Sequence, residues 1–421
     1  LETHGRLDVV SSVFLSNLKH GVHIEKNSGM AELVKVNSSR NQESGIVFDS
    51  GSIFLLMSDS IIQKNAESGL IISSQLNSTI NISYVNCDGN RRQFGIYMVN
   101  FDENCNVHLA NVVSTENRGN NGGYFERINA TNLSIASSSF NGNGRHGLSF
   151  DEVMTREVIF KEVSTSRNSH TGIYIFSGKT NLKMEHWYSL GNIKDGFYLK
   201  KQDGTVKMKN SAVNYNQRDG VVLVDDSYAG LDSFHIQGCT VSNNRYGIDV
   251  RLFYKKVSVN YSITVSDTTI ANNTEAGCQF FSGICYWYSH KKRRVQLSFT
   301  GNKVKWNRNF GLLFSGPQTY QLNATLRRNH LEGNTRYTLK VIQDPYYSCH
   351  RRFPLPVTVS VIENTFVDNK GEYIVFFDYK SLPDKRFIVI KNNTFRNNRW
   401  VQQFPSRYSR TKTQAVLGIN E

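Results

Sequence analysis

Residues 41–48 read Asn-Gln-Glu-Ser-Gly-Ile-Val-Phe, and residues 65–72 read Asn-Ala-Glu-Ser-Gly-Leu-Ile-Ile. Each copy is an Asn, a Gly four residues later and a short apolar run, and the copies lie 24 residues apart. The same Gly-apolar start recurs at Gly21, Gly45, Gly69, Gly95, Gly123, Gly147, Gly172, Gly196, Gly220, Gly247, Gly277 and Gly311. Its spacings are 24, 24, 26, 28, 24, 25, 24, 24, 27, 30 and 34 residues. Degenerate turns follow around Leu339 and Ile374. The preceding Asn recurs as Asn17, Asn41, Asn65, Asn143, Asn168, Asn192, Asn216, Asn243 and Asn273, with a second apolar stretch upstream, as in Val13-Phe14-Leu15.

A unit of this length holds two or three strands of period-two alternation and is too short for a helix–turn–helix repeat. One such unit cannot bury its apolar side alone, whereas stacked units share a core. The fold class expected is therefore all-β: a single-stranded, parallel, right-handed β-helix solenoid of about 14–15 coils, roughly 70 Å long at the strand spacing of a sheet. Gly before each strand suits a positive-φ bend, and the Asn suits a left-handed turn from which its amide can bond to the next coil. The helix should occupy residues 1–404, regular to about 250 and irregular with insertions from 251 to 404. Residues 405–421 form a basic C-terminal stretch. The start at Leu1 reads as that of a mature or excised fragment.

The chain has 421 residues and a formal charge of +14, unevenly spread. Residues 1–250 carry 23 basic and 25 acidic side chains, and residues 251–421 carry 26 and 10. With 39% hydrophobic residues it is no disordered tail, and no run is apolar and long enough to span a membrane. Lys291-Lys292-Arg293-Arg294 and Arg351-Arg352 follow aromatic clusters in the two largest insertions. Cations interleaved with aromatics fit an acidic glycan or anionic surface; nucleic acid is the poorest fit in a secreted chain.

An extracellular setting is read from the cysteines rather than from the number of glycosylation acceptors. Asn-x-Ser/Thr acceptors stand at Asn37, Asn77, Asn81, Asn129, Asn132, Asn260, Asn272, Asn323 and Asn392, a number close to chance. Cys87 and Cys105 flank one strand, while Cys278, Cys285 and Cys349 lie in or beside the insertions, where disulfides would staple loops. Buried free thiols are the alternative, and pairing among Cys239, Cys278, Cys285 and Cys349 stays open.

A polysaccharide lyase or hydrolase needs clustered carboxylates with a base, or paired carboxylates on adjacent coils. Four residues after the Gly, Glu25 and Asp49 fall on neighbouring rungs and could hold a cation, but no basic group follows them. Arg127 and Asp151 are also expected as neighbours, near His146. These three are the weak catalytic candidates; no metal cluster or cofactor site is visible. Two residues after the Gly, Val47, Ile71, Tyr97, Phe125, Tyr174, Tyr198 and Val222 form an outward apolar stripe, a candidate interface for a protein partner or a second copy of the chain.

The N-x-x-x-G-apolar-x-apolar turns, the scattered acceptors and the Cys-bearing insertions resemble parallel β-helix ectodomains of animal surface proteins, above all those of insect tricellular junctions. That resemblance implies a non-enzymatic fragment of a membrane-anchored adhesion protein acting where three epithelial cells meet. A secreted carbohydrate-active β-helix enzyme is the alternative function.

Overall fold

The computed structural model describes residues 2–225, 231–253, 260–283, 294–315, 321–342, 357–371, 373–377 and 386–398. They are all-β, every strand pairing is parallel, and the chain is a parallel β-helix. It forms two compact units, residues 1–203 and 204–421.

In the first unit each coil has three strands. The first strand follows the Gly (Ile46–Phe48, Leu70–Gln75, Ile96–Phe101, Gly123–Ile128, Leu148–Val153, Ile173–Lys179). Its alternate residues Ile24, Phe48, Ile72, Met98, Phe125, Phe150, Ile175 and Leu199 stack inward as one buried column. The second strand supplies a parallel column: Leu55, Ile80, Val107, Leu133, Val158 and Leu182. The third is reduced to three residues, such as Ile61–Gln63, or to single bridges at Asn86, Val113, Ser139 and Ser164. Each fully buried Leu, Ile or Phe contributes about 1.5–3 kcal/mol, which a lone coil could not collect.

The Gly does not make the expected positive-φ bend, and the left-handed turn falls one residue before the Asn, whose amide bonds to the next coil as expected. Gly45 and Gly95 do not lie in the positive-φ region. A Cβ on Gly45 would stand 2.7 Å from the carbonyl oxygen of Gly69 and 2.8 Å from Asn65 Nδ2. The Gly is thus required by the close approach of one coil to the next. The left-handed turn is made by the residue before the Asn: Arg40, Lys64, Glu116 and Arg167 have φ of 57°, 57°, 53° and 56°.

The Asn side chains lie in the wall and form a ladder. Asn41, Asn65, Asn90, Asn117, Asn143, Asn168 and Asn192 are each linked from Nδ2 to the next Oδ1, at 2.9–3.2 Å. Each Oδ1 also accepts the backbone N–H of the Asn below, as Asn117 Oδ1 does from Asn90 at 3.1 Å. Asn117 Nδ2 donates as well to the carbonyl of Cys87 (3.1 Å), so its buried amide is fully used.

In the second unit an equivalent ladder runs through Asn216, Asn244, Asn273, Asn307, Asn334, Asn369 and Asn398. Asn243, not Asn244, takes the left-handed φ of 56°, so Asn243 is not the ladder residue. A second ladder, Asn302, Asn329, Asn364 and Asn393, lines another corner of this unit. The first strands there include Val221–Asp225, Ala276–Gly283 and Phe310–Ser315.

The cysteines correct another expectation. Cys87, Cys105 and Cys278 are free, buried thiols, as is Cys239. Burial pushes the Cys105 and Cys239 thiols up to about 11, as desolvation of a thiolate requires. Cys285 and Cys349 lie outside the described residues.

Candidate functional site

The column that points out of the first strand is built on the core column, one residue out of phase with it. Its register is His23, Val47, Ile71, Tyr97, Tyr124, Ser149, Tyr174, Tyr198. The member at the Gly122-Gly123 doublet is Tyr124. The N–H of Ile96 bonds to the carbonyl of Gly122, so Gly122 is the repeat Gly and everything after it shifts by one residue. Phe125 is therefore core: it is fully buried and stacks on Phe150 at 4.8 Å. Val47 and Val222 are also buried. Ile71, Tyr97, Tyr124, Tyr174 and Tyr198 remain half-exposed.

These tyrosines are ordered by stacking. Tyr97 and Tyr124 lie parallel with centroids 5.5 Å apart, and Phe94 packs 5.0 Å from both. Tyr174 and Tyr198 are parallel at 5.4 Å. Ser149 supplies no ring, and His146 extends the stack instead, 4.8 Å from Tyr174. Phe94 and His146 each precede a repeat Gly, so that position also leans onto this face. The coil rise thus sets aromatic rings at stacking distance without further cost, each pair adding about 0.5–1.5 kcal/mol.

The phenols are anchored by carboxylates one coil away. Tyr97 OH donates to Glu126 at 2.7 Å, and Tyr124 OH reaches Asp151 at 3.5 Å. Burial, then Glu126, raises the Tyr97 phenol, while Tyr124 is pushed up to about 12 by burial, then by Glu126 and Asp151. Asp151 is itself raised, by burial first and then by Glu152 and Glu126.

The shift at Gly122 also separates the catalytic candidates. Glu126, not Arg127, pairs with Asp151 across the rung. Arg127 sits at the corner with φ 50°, donates to Asn100 Oδ1 at 2.7 Å and pairs with Glu126 at 3.0 Å. His146 is buried, and its Nδ1 accepts the N–H of Thr171 at 3.3 Å. Burial, then Arg145, His170 and Lys194, lowers His146 to about 3, so it is a neutral ring near pH 7. Among the described residues no hydrogen bond or ion pair links Arg127, His146 and Asp151 to one another.

In the second unit the first face carries buried charge that the sequence reading passed over. Asp219 and Asp249 are fully buried. Arg245 grips Asp219 through two bonds of 2.9 Å, and Arg251 bonds Asp249 Oδ2 at 2.7 Å. Two guanidiniums balance two carboxylates, as burial of such groups demands. The signal available was an Asp directly before Gly220 and another two residues after Gly247.

Of the basic candidates, Arg294 is exposed at the start of strand Arg294–Thr300. Lys291, Lys292, Arg293, Arg351 and Arg352 lie outside the described residues. Among the acceptors, Asn77, Asn129, Asn272, Asn323 and Asn392 are exposed, and Asn37, Asn81 and Asn132 are half-exposed. The Asn260 side chain is outside the described set.

A known family model agrees with the fold over part of the chain. Residues 98–260 match the model of a right-handed beta helix region. The chain is 25% identical over 218 residues to Protein bark beetle of Drosophila melanogaster. That alignment covers 48% of this chain and 6% of that protein, so the chain spans a small part of its relative's length. Similar solved structures include the mannuronan C-5 epimerase AlgE6 A-module of Azotobacter vinelandii, at 13% identity and TM-score 0.39 over 91% of this chain and 90% of that one. The periplasmic alginate epimerase AlgG is similar at 10% identity and TM-score 0.40, over 87% and 76%.

Proposed function

We propose that this chain is a non-enzymatic, extracellular β-helix segment of a cell-surface adhesion protein at epithelial contacts. It binds protein through the tyrosine ladder of its first unit, and the partner argued for is a second copy of the chain. The half-exposed, pre-stacked Tyr97, Tyr124, Tyr174 and Tyr198 carry the reading. Large amphipathic rings already held in one rotamer lose little entropy on binding, which is why Tyr is enriched where interfaces concentrate their energy. The near balance of charge over residues 1–250 leaves little like-charge repulsion against a second copy. The match to Protein bark beetle and the resemblance to junction ectodomains favour the same reading.

Sedimentation velocity over a concentration series tests it. Wild-type protein should associate, and Tyr174→Asp with Tyr198→Asp should weaken association about tenfold or more, the scale of one or two interface anchors. Identical sedimentation of variant and wild type would remove the ladder as the binding surface.

A further inference from the structure

The geometry points to a divalent metal site of the zinc class at the N-terminal end of the first unit, formed by His23, Glu25 and Asp49. His23 and Glu25 belong to the strand Val22–Val34 and, two residues apart, project to the same side of it. Asp49 follows the strand Ile46–Phe48, and its N–H donates to the carbonyl of Ile24 at 2.9 Å, which sets its carboxylate one rung from Glu25. His23 Nε2 lies 2.6 Å from Asp49 Oδ2 and 3.7 Å from Glu25 Oε1. One ligand atom from each of the three falls within 4.8 Å of the others.

A tetrahedral zinc ion with bonds of about 2.0–2.2 Å holds its donors roughly 3.3–3.6 Å apart. The three atoms bracket that spacing, and their side chains are 34–52% exposed, so small rotations bring them onto it while the rungs fix the backbone. Two carboxylates converging on one imidazole carry more negative charge than a single hydrogen-bonded pair needs, and a dication offsets the excess. Imidazole nitrogen among the donors favours zinc over calcium or magnesium.

The surroundings orient the ligands. Ser73 Oγ donates to Asp49 Oδ1 at 3.1 Å, turning Oδ2 toward His23. His20 packs edge-on against His23 at 5.1 Å. The His20 ring is itself held, Nδ1 by the Ser44 N–H at 3.1 Å and Nε2 by Glu43 at 3.1 Å. It walls one side of the site, and the exposure of the three ligands leaves a fourth position open to water.

Calorimetric titration of the folded protein with zinc chloride, and separately with calcium chloride, tests the site. Wild type is expected to take up zinc at one site per chain at least tenfold more tightly than calcium. His23→Ala should abolish that uptake, and Asp49→Asn or Glu25→Gln should weaken it tenfold or more. His108→Ala, an exposed histidine bonded to Ser134, should leave it unchanged. Ser73→Ala removes no ligand side chain and should weaken uptake about 10-fold, the usual consequence of losing an orienting partner. It also tests the site should the ligand variants fail to fold. Equal uptake by His23→Ala and wild type, equal affinity for calcium, or no uptake at millimolar zinc would each overturn the assignment.

Discussion

At the scale of single residues, His146 shows how a turn position becomes a structural one. A histidine before a repeat Gly, expected near Arg127 and Asp151, suggests chemistry. In the fold it is enclosed between Tyr174 and His170 and neutral. Its ring ionises at about 3 when folded and near 6.5 when unfolded. Below pH 6.5 the unfolded chain therefore binds a proton that the folded chain refuses. The contribution is complete above that pH and is lost as pH falls toward 3. Between pH 7 and 5 this costs about 2 kcal/mol. In His146→Asn, whose Oδ1 can still accept from Thr171, the pH dependence of urea unfolding should flatten by that amount. Parallel profiles for wild type and variant would show that His146 is protonated in the fold.

The element that organises each unit is the asparagine ladder, and its existence was half legible. Repetition of Asn before Gly is visible in sequence because one chemical group serves one place in every coil. The ladder members Asn90 and Asn117 escaped the pattern because the turn between Asn and Gly lengthens there. The doublet Gly122-Gly123 concealed the register for a related reason. Either Gly can start an apolar alternation, and only the inter-coil bond from Ile96 to Gly122 decides between them. That one-residue slip exchanges core and surface, so it turned Phe125 inward and Tyr124 outward. It also replaced Arg127 with Glu126 beside Asp151.

Asn117→Ala should be costly in proportion to the bonds lost. It strips acceptors from the N–H and Nδ2 of Asn90 and leaves both buried. A loss of about 2–6 kcal/mol follows from roughly 1–3 per stranded polar group. Denaturant unfolding followed by the fluorescence of Trp187, buried in the same unit, reads it out. A change below 0.5 kcal/mol would mean that the ladder is dispensable.

For the whole molecule, the repeat announced the fold because a 24-residue unit of alternating apolar residues has few ways to bury itself. Charge announced less: the formal +14 is concentrated after residue 250, but its densest runs lie in insertions whose lengths break the repeat. The cysteines misled for a physical reason, since a buried wall position favours a thiol as readily as a loop favours a disulfide. What the sequence could not show is that rings spaced one per coil become a stacked, half-exposed surface.

Hydroxyl-radical footprinting of the tyrosines across a concentration series reads that surface directly. Oxidation of Tyr97, Tyr124, Tyr174 and Tyr198 should fall several-fold as the protein associates, while Tyr84 and Tyr188, 62% and 45% exposed, stay constant. Association that leaves the four ladder tyrosines as reactive as in dilute protein would contradict the account.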